Sequence, residues 1–211
     1  MPAAVAHGRL WPEPAVPTVW CVEVDRPALV LGSTQPDKVV DRERAAAAGV
    51  EVVRRRSGGG AVLLVPGEVI WVDVLVPAGD PLWQADVGKA FGWLGEVWRE
   101  ALARCGVEAE LHEGALVTTR WSRLVCFAGL GPGEVTVGGR KMVGISQRRT
   151  RAGALFQCAA LVEWEPSALL DLLVLPEADR SQAAELAGVA IGSELNTAEL
   201  TRSFAEGLRG K

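Results

Sequence analysis

The sequence predicts an α+β fold, a mixed, largely antiparallel sheet flanked by helices. Three observations carry that expectation. Short apolar runs recur between turns rich in glycine and proline from residue 20 to residue 162, the pattern of hairpin-connected strands. One long stretch, residues 80–106, repeats its apolar residues at helical spacing. After Glu165 the strand pattern stops and short helical segments follow. Strands and helices segregated in this way suit an α+β arrangement. The 211 residues are expected to form a single domain, 1–211, with 165–211 as a helical C-terminal segment.

Taken in order, residues 20–25 and 28–31 read as two strands separated by Arg26-Pro27. Gly32-Ser33-Thr34-Gln35-Pro36 is a polar turn, either a pocket lip or a plain loop. Residues 41–48 are alanine-rich and stop before Gly49, as a short helix closed by glycine would. Residues 50–53 form the next strand. Residues 61–65 and 69–76 then read as an antiparallel hairpin around Pro66-Gly67-Glu68. Both faces of the second run are apolar, so its Asp73 is costly unless paired, and a structural bond to backbone or arginine is favoured over direct catalysis.

Asp80 and Pro81 suit the first turn of the long helix, whose core face includes Leu94, Val97, Trp98 and Leu102; Gly106 ends it. Residues 107–111 follow as a strand. Residues 134–137 and 141–146 form a hairpin around Gly138-Gly139, and residues 153–162 add another strand. Helices are expected over 167–173, 181–186 and 197–208, the last capped by Asn196.

Composition narrows the function. With 49% apolar residues the chain can build a sizeable core, and a net charge of -4 argues against a dedicated nucleic-acid binder. The N-terminus, with Pro2, His7, Pro12, Glu13 and Pro14, has no apolar signal core, and no run of eighteen apolar residues predicts a membrane span. The four cysteines, at 21, 105, 126 and 158, form no CxxC pair, which points to free thiols in a reducing, cytoplasmic setting. Glu110, His112 and Glu113 do not match a metal-ligand spacing, and His7 is the other histidine, so no metal is expected.

Two stretches concentrate the chemistry. Arg54-Arg55-Arg56-Ser57-Gly58-Gly59-Gly60-Ala61-Val62 runs three cations into a hydroxyl and three glycines. Unhindered glycine amides can close around an anion, with arginines beside them as bidentate donors. The stretch is either a glycine-rich hairpin with a solvated flank or a loop holding the polar or acyl end of a small ligand. The second stretch runs from Gly138 to Arg151. As a regular strand it puts Lys141, Val143, Ile145 and Gln147 on one face. There the lysine either reaches solvent, finds a partner, or donates to a carbonyl or phosphate oxygen in a pocket.

Arg54-Arg55-x-Ser57-Gly58-Gly59-Gly60-Ala61-Val62 resembles the first signature of the lipoate–protein ligase A and octanoyltransferase family. Gly139-Arg140-Lys141-Met142-Val143-Gly144-Ile145-Ser146-Gln147-Arg148-Arg149 resembles the second, which carries the family's lysine. The likeness spans roughly residues 28–164 and implies the mixed α/β fold shared with biotin protein ligase catalytic domains. It implies transfer of an octanoyl or lipoyl group to a lysine of a lipoyl carrier domain. The donor would be acyl carrier protein or the glycine-cleavage H protein. Transferases of the family hold the acyl group as a cysteine thioester and need no cofactor; ligases use ATP and Mg to make an acyl-adenylate. A non-catalytic acyl-binding module is the remaining alternative.

Val125-Cys126-Phe127, fifteen residues before Lys141, resembles the Cys-Phe of octanoyltransferases. Cys126 is therefore the expected nucleophile, where a neighbouring cation would favour the attacking thiolate; the alternative is a buried core thiol. Cys158 is the rival nucleophile, at a position where family members often carry His-Gly, while Cys21 and Cys105 read as structural. Arg54, Arg55, Ser57, Gly58, Gly59, Gly60, Ala61, Gly144, Ser146 and Gln147 are the expected substrate-binding residues. Arg140, Arg148, Arg149 and Arg151 form either a solvated face or a surface that steers acidic carriers. One departure stands out: Leu63 and Leu64 occupy the place of a family histidine, leaving no evident histidine base.

Overall fold

In the computed structural model, residues 1–10, 12, 16–193 and 195–211 are described; Glu13 and Pro14 of the N-terminal reading lie outside them. The elements begin with α1 (Ala3–Gly8), β1 (Thr18–Val22), β2 (Ala28–Leu31), α2 (Arg42–Ala47), β3 (Glu51–Arg54), β4 (Val62–Leu64) and β5 (Val69–Pro77). They continue with α3 (Gly92–Arg104), β6 (Glu110–Leu111), β7 (Val135–Val137), β8 (Arg140–Thr150) and β9 (Gly153–Leu161). The C-terminal part holds α4 (Pro166–Asp171), α5 (Glu177–Arg180) and α6 (Thr197–Arg209).

Among the described residues the strands form two sheets. The larger has the order β1-β5-β9-β8-β7-β6, antiparallel at every pairing. The smaller has the order β3-β2-β4, with β2 parallel to β3 and antiparallel to β4. The fold is α+β with a mixed, largely antiparallel set of strands, as the sequence predicts. β5 is buried along nearly its whole length because it lies between β1 and β9 in the sheet, and helix α3 covers one face. Leu94, Val97, Trp98 and Leu102 of that helix are fully buried against Val72, Val74 and Phe156. Helix α6 packs on α3 through Phe204, whose ring centroid lies 4.1 Å from that of Trp98.

Local signals that concern one element hold well. Asp41 caps α2 by accepting from Arg44 N, Gly49 follows it at φ +65°, and Asn196 caps α6 by accepting from two amides. Gly138 and Gly139 both take positive φ, the geometry that lets a two-residue turn join β7 to β8.

Three expectations are corrected. The runs around Pro66-Gly67-Glu68 do not pair with each other: β4 pairs with β2, while β5 pairs with β1 and β9. A turn signal reverses the chain without choosing the partner, and the nine-residue β9 matches β5 along its whole length where three-residue β4 cannot. The long helix starts at Gly92 rather than near Asp80. Asp80 instead accepts from Leu82 N and Asp86 from Gly88 N and Lys89 N, so both carboxylates close separate turns ahead of the helix.

The third correction matters most for the site. Thr136 is opposite Lys141 and Val135 is opposite Val143, so Met142 is an extra residue, a β-bulge. The bulge breaks the simple alternation. Met142 and Val143 both enter the main core, and Lys141 lies on the side of Gly144 instead of sharing a face with Val143 and Ile145.

Candidate active site

The two sheets leave a cleft between them. Val30, Val62 and Leu64 line it from the smaller sheet, and Trp71, Gly144 and Ala159 from the larger, around a narrow slot of about 50 Å³. A wider outer cavity of about 680 Å³ opens over Gly58, Gly59, Gly60 and Lys141. Cys126, Ile145 and Ser146 line both spaces, so Cys126 stands where the apolar slot meets the mouth. The polar turn before it proves to be a pocket lip, since Thr34, Gln35 and Pro36 border the mouth.

The glycine loop is shaped by close backbone contacts. A side chain at Gly60 would put its Cβ 2.6 Å from the Val125 carbonyl carbon, and one at Gly32 would sit 1.9 Å from Gly59 O. Ala61 N donates to Leu124 O and Cys126 N donates to Ala61 O, which ties this loop to the cysteine loop. Arg55 locks the arrangement from inside. It is 5% exposed and donates to the carbonyls of Val30, Gly58 and Gly60, and its Nη2 reaches Cys126 Sγ at 3.9 Å. Arg54 points the other way, to Gly32 O, Gln35 O and Asp37 Oδ1. It braces the loop and lines neither cavity.

Lys141 is buried and saturated with acceptors. Its Nζ lies 2.8 Å from Glu134 Oε2, donates to Cys126 O at 3.2 Å and to Gly129 O at 2.9 Å, and sits 5.1 Å above the Phe127 ring. Glu134 is held in turn by the amides of Gly131 and Ile145. A buried ion pair is favourable only when such additional bonds complete it. The lysine thus fixes the backbone of the loop that carries the thiol.

Behind the thiol lies a polar network. Ser57 and Ser146 share a hydrogen bond of 2.9 Å, and Ser57 Oγ donates to Gln157 Oε1 at 3.1 Å. Gln157 Nε2 faces His7 Nδ1 and Asp73, and the Trp71 indole donates to Asp73 Oδ1 at 2.6 Å. Asp73 is indeed paired, but with an indole and an amide rather than with backbone or arginine. Burial pushes its pKa up to about 6. Burial and the Arg55 charge lower that of His7 to about 4.

Several expected residues therefore meet here: Cys126, Lys141, Arg55, Ser57, Gly58, Gly59, Gly60, Gly144 and Ser146. Ala61 contributes backbone bonds, with its side chain in a neighbouring apolar cluster. Gln147, expected at the ligand, lines neither cavity and accepts from Arg149 Nε. It faces away because it neighbours Ser146 on a strand; Gln157, opposite Ser146 on β9, takes the place at the slot. Cys158 borders the slot from mid-strand, but its side chain, between Gln157 and Ala159, turns to the opposite face of β9 into the core under α3, where burial pushes the thiol far above the usual range. Arg149 stacks over Trp83 and donates to two carbonyls, a structural use. Among the described residues no group of three or more His, Cys, Asp or Glu could hold a metal ion, and His112 bonds locally to Ala115 O.

Sequence reasoning missed His7, Glu134 and Gln157. His7 arrives on α1, whose contact with the slot is long-range; its ring lies 4.4 Å from that of Trp71. Glu134 had one available signal, a carboxylate close in sequence to a lysine already singled out.

A family model of the lipoyl protein ligase A/B catalytic domain matches residues 9–201. The chain is 29% identical over 221 residues to octanoyltransferase LipM of Kyrpidia tusciae, covering 97% of this chain and 79% of that protein. Its fold is shared with a bipartite lipoate protein ligase of Thermoplasma acidophilum, at a TM-score of 0.74 and 17% identity, over 98% of this chain and 74% of that one. It is also shared with a lipoate-protein ligase A bound with ATP, at a TM-score of 0.70 and 17% identity, over 92% and 72%. The chain belongs to the lipoyl protein ligase A/B catalytic-domain family.

Proposed function

We propose that this protein is an acyltransferase of protein lipoylation that carries an octanoyl or lipoyl group as a thioester on Cys126. The observation that carries the reading is the position of Cys126 at the junction of an apolar slot and an open mouth, with the Arg55 guanidinium 3.9 Å from its sulfur. The named octanoyltransferase relative supports the same reaction class.

In the first half-reaction the Cys126 thiolate attacks the thioester carbonyl of an acylated carrier protein. The S–C bond to the carrier breaks, its sulfur leaves as a thiolate that takes a proton from water, and the acyl chain lies in the slot. In the second, the neutral amine of a lipoyl-domain lysine attacks the Cys126 thioester; an amide forms, the S–C bond to Cys126 breaks with its sulfur leaving as thiolate, and the amine's proton passes to water. Arg55 balances charge on the sulfur. Lys141 acts by positioning, through Cys126 O and Gly129 O. Cys158 takes no part in the chemistry, since its thiol faces the core under α3 and is costly to ionise there.

The donor in this reading is acyl carrier protein or the glycine-cleavage H protein, and the acceptor is a lipoyl domain. The archaeal ligase with the shared fold is described together with its E2 lipoyl domain. The whole of 1–211 acts as one catalytic domain in the cytoplasm, with 165–211 as its helical C-terminal segment. No helix is long and apolar enough to cross a membrane among the described residues. No ATP or Mg is required. An ATP-dependent ligase is less well supported, because the Glu134 carboxylate already pairs with Lys141 where a phosphate would seek a cation.

The test is to mix the protein with octanoyl-carrier protein and a lipoyl domain, without ATP, and read the acceptor's intact mass. Octanoylated lipoyl domain is the expected product. Modification only with ATP and the free acid would make the protein a ligase. No modification in either case would leave a binding module.

A further inference from the structure

The slot is one compartment of a longer inter-sheet cleft. On β9, Gln157, Ala159 and Leu161 follow one another along a single face, and their partners on β5 are Asp73, Trp71 and Val69. The slot occupies the stretch at Gln157 and Ala159. Each end abuts another cavity. Past Gln157 and His7 lies a small space of about 10 Å³ bordered by Arg9, Arg56, Asp73 and Arg148. Past Phe127 and Val62, which line both neighbouring spaces, lies one of about 30 Å³ bordered by Val69, Leu161, Trp164 and Leu169.

These two ends differ in what they could accept. A hydrocarbon tail gains nothing by entering a charged space, whereas each methylene buried against aliphatic walls is favourable. The Phe127–Val62 end therefore decides how long a chain fits. Phe127 is well placed to close it. It is 2% exposed, its ring packs 5.7 Å from that of Trp164, and its Cζ lies over Gly144, where any side chain would come within 3.5 Å. The second space begins one strand repeat further on, at Leu161 and Val69, roughly 6.7 Å along the cleft.

We propose that Phe127, with Val62, is the specificity-determining partition that limits the acyl chain to medium length, and that removing its ring joins the slot to the second cavity. The inference rests on the acyl-thioester reading above.

The experiment offers the protein octanoyl-, dodecanoyl- and hexadecanoyl-acyl carrier protein in competition and reads the adduct on the intact enzyme by mass. Wild type is expected to retain octanoyl. Phe127→Ala is expected to raise the dodecanoyl-to-octanoyl ratio about tenfold or more. Adding Ala168→Phe, which refills the second cavity from its far wall, should return the ratio towards wild type. If Phe127→Ala forms adducts with an unchanged ratio, the partition is overturned. Should Phe127→Ala fold poorly, Val62→Ala is scored on the same ratio, with a rise supporting the proposal and no change overturning it. A wild-type enzyme that takes no acyl group at all overturns the thioester reading itself, a result distinct from an unchanged ratio.

Discussion

Cys126 and Cys158 both border the slot, but Cys126 turns its thiol to it from a loop, whereas Cys158, between Gln157 and Ala159 on β9, turns its thiol to the opposite face and into the core under α3. The loop thiol has a guanidinium 3.9 Å away, borders the open mouth, and has its backbone held by Ala61 and Lys141. The strand thiol is enclosed by core residues, and burial pushes it far up. Two cysteines beside one cavity thus have opposite chemistry, because only one of them turns its sulfur towards it. The loop presents its side chain to both a pocket and a partner protein, while strand alternation commits Cys158 to the core.

The comparison can be broken most sharply at Cys126. Cys126→Ala is expected to lower octanoyl transfer by at least ~10³-fold with little change in folding, read as turnover and as the denaturation midpoint. The loop's support comes next. Lys141→Met leaves Glu134 buried without its cation and is expected to cost about 3–5 kcal/mol of stability. The double variant with Glu134→Gln should recover part of that loss in urea denaturation.

The polar network around Gln157 makes a prediction about pH. Asp73 has its pKa raised to about 6, so its folded form keeps a proton the unfolded chain releases. That contribution is complete below about pH 4 and is lost as the pH rises through about 6. His7, lowered to about 4, works in reverse: its contribution is complete above about pH 6.5 and is lost as the pH falls through about 4. Each contribution amounts to roughly 3 kcal/mol, and in the wild type the two offset. Relative to wild type, Asp73→Asn should lose stability between pH 7 and pH 4 and His7→Gln should gain it. Chemical denaturation across that range reads both signs. The smallest effect is at Cys158→Ala, where activity should stay within a few-fold and stability should fall by about 1 kcal/mol.

The glycine loop, the lysine strand and Cys126 were legible because each depends on local composition: adjacent glycines, a cation in an apolar run, a thiol beside an aromatic. The side of the strand that Lys141 occupies was not legible. A bulge at Met142 changes it, and a bulge arises from pairing with β7, which no single strand encodes. The separation of β4 from β5 was hidden for a similar reason, since the turn at Gly67 is equally compatible with a hairpin and a crossing between sheets. His7 carries no local signal for the site, yet it joins Gln157 from 150 residues away. Arg54 and Arg55 show the limit most plainly: neighbours of one residue type on one strand end, they face opposite ways and do unrelated work.

The most direct measurement is to trap the enzyme with octanoyl-carrier protein in the absence of acceptor, digest it at low pH, and locate the thioester by peptide mass. The account predicts a hydroxylamine-labile octanoyl group on the peptide containing Cys126, retained in Cys158→Ala and absent from Cys126→Ala. An octanoyl group found on Cys158, or one still present in Cys126→Ala, would contradict it.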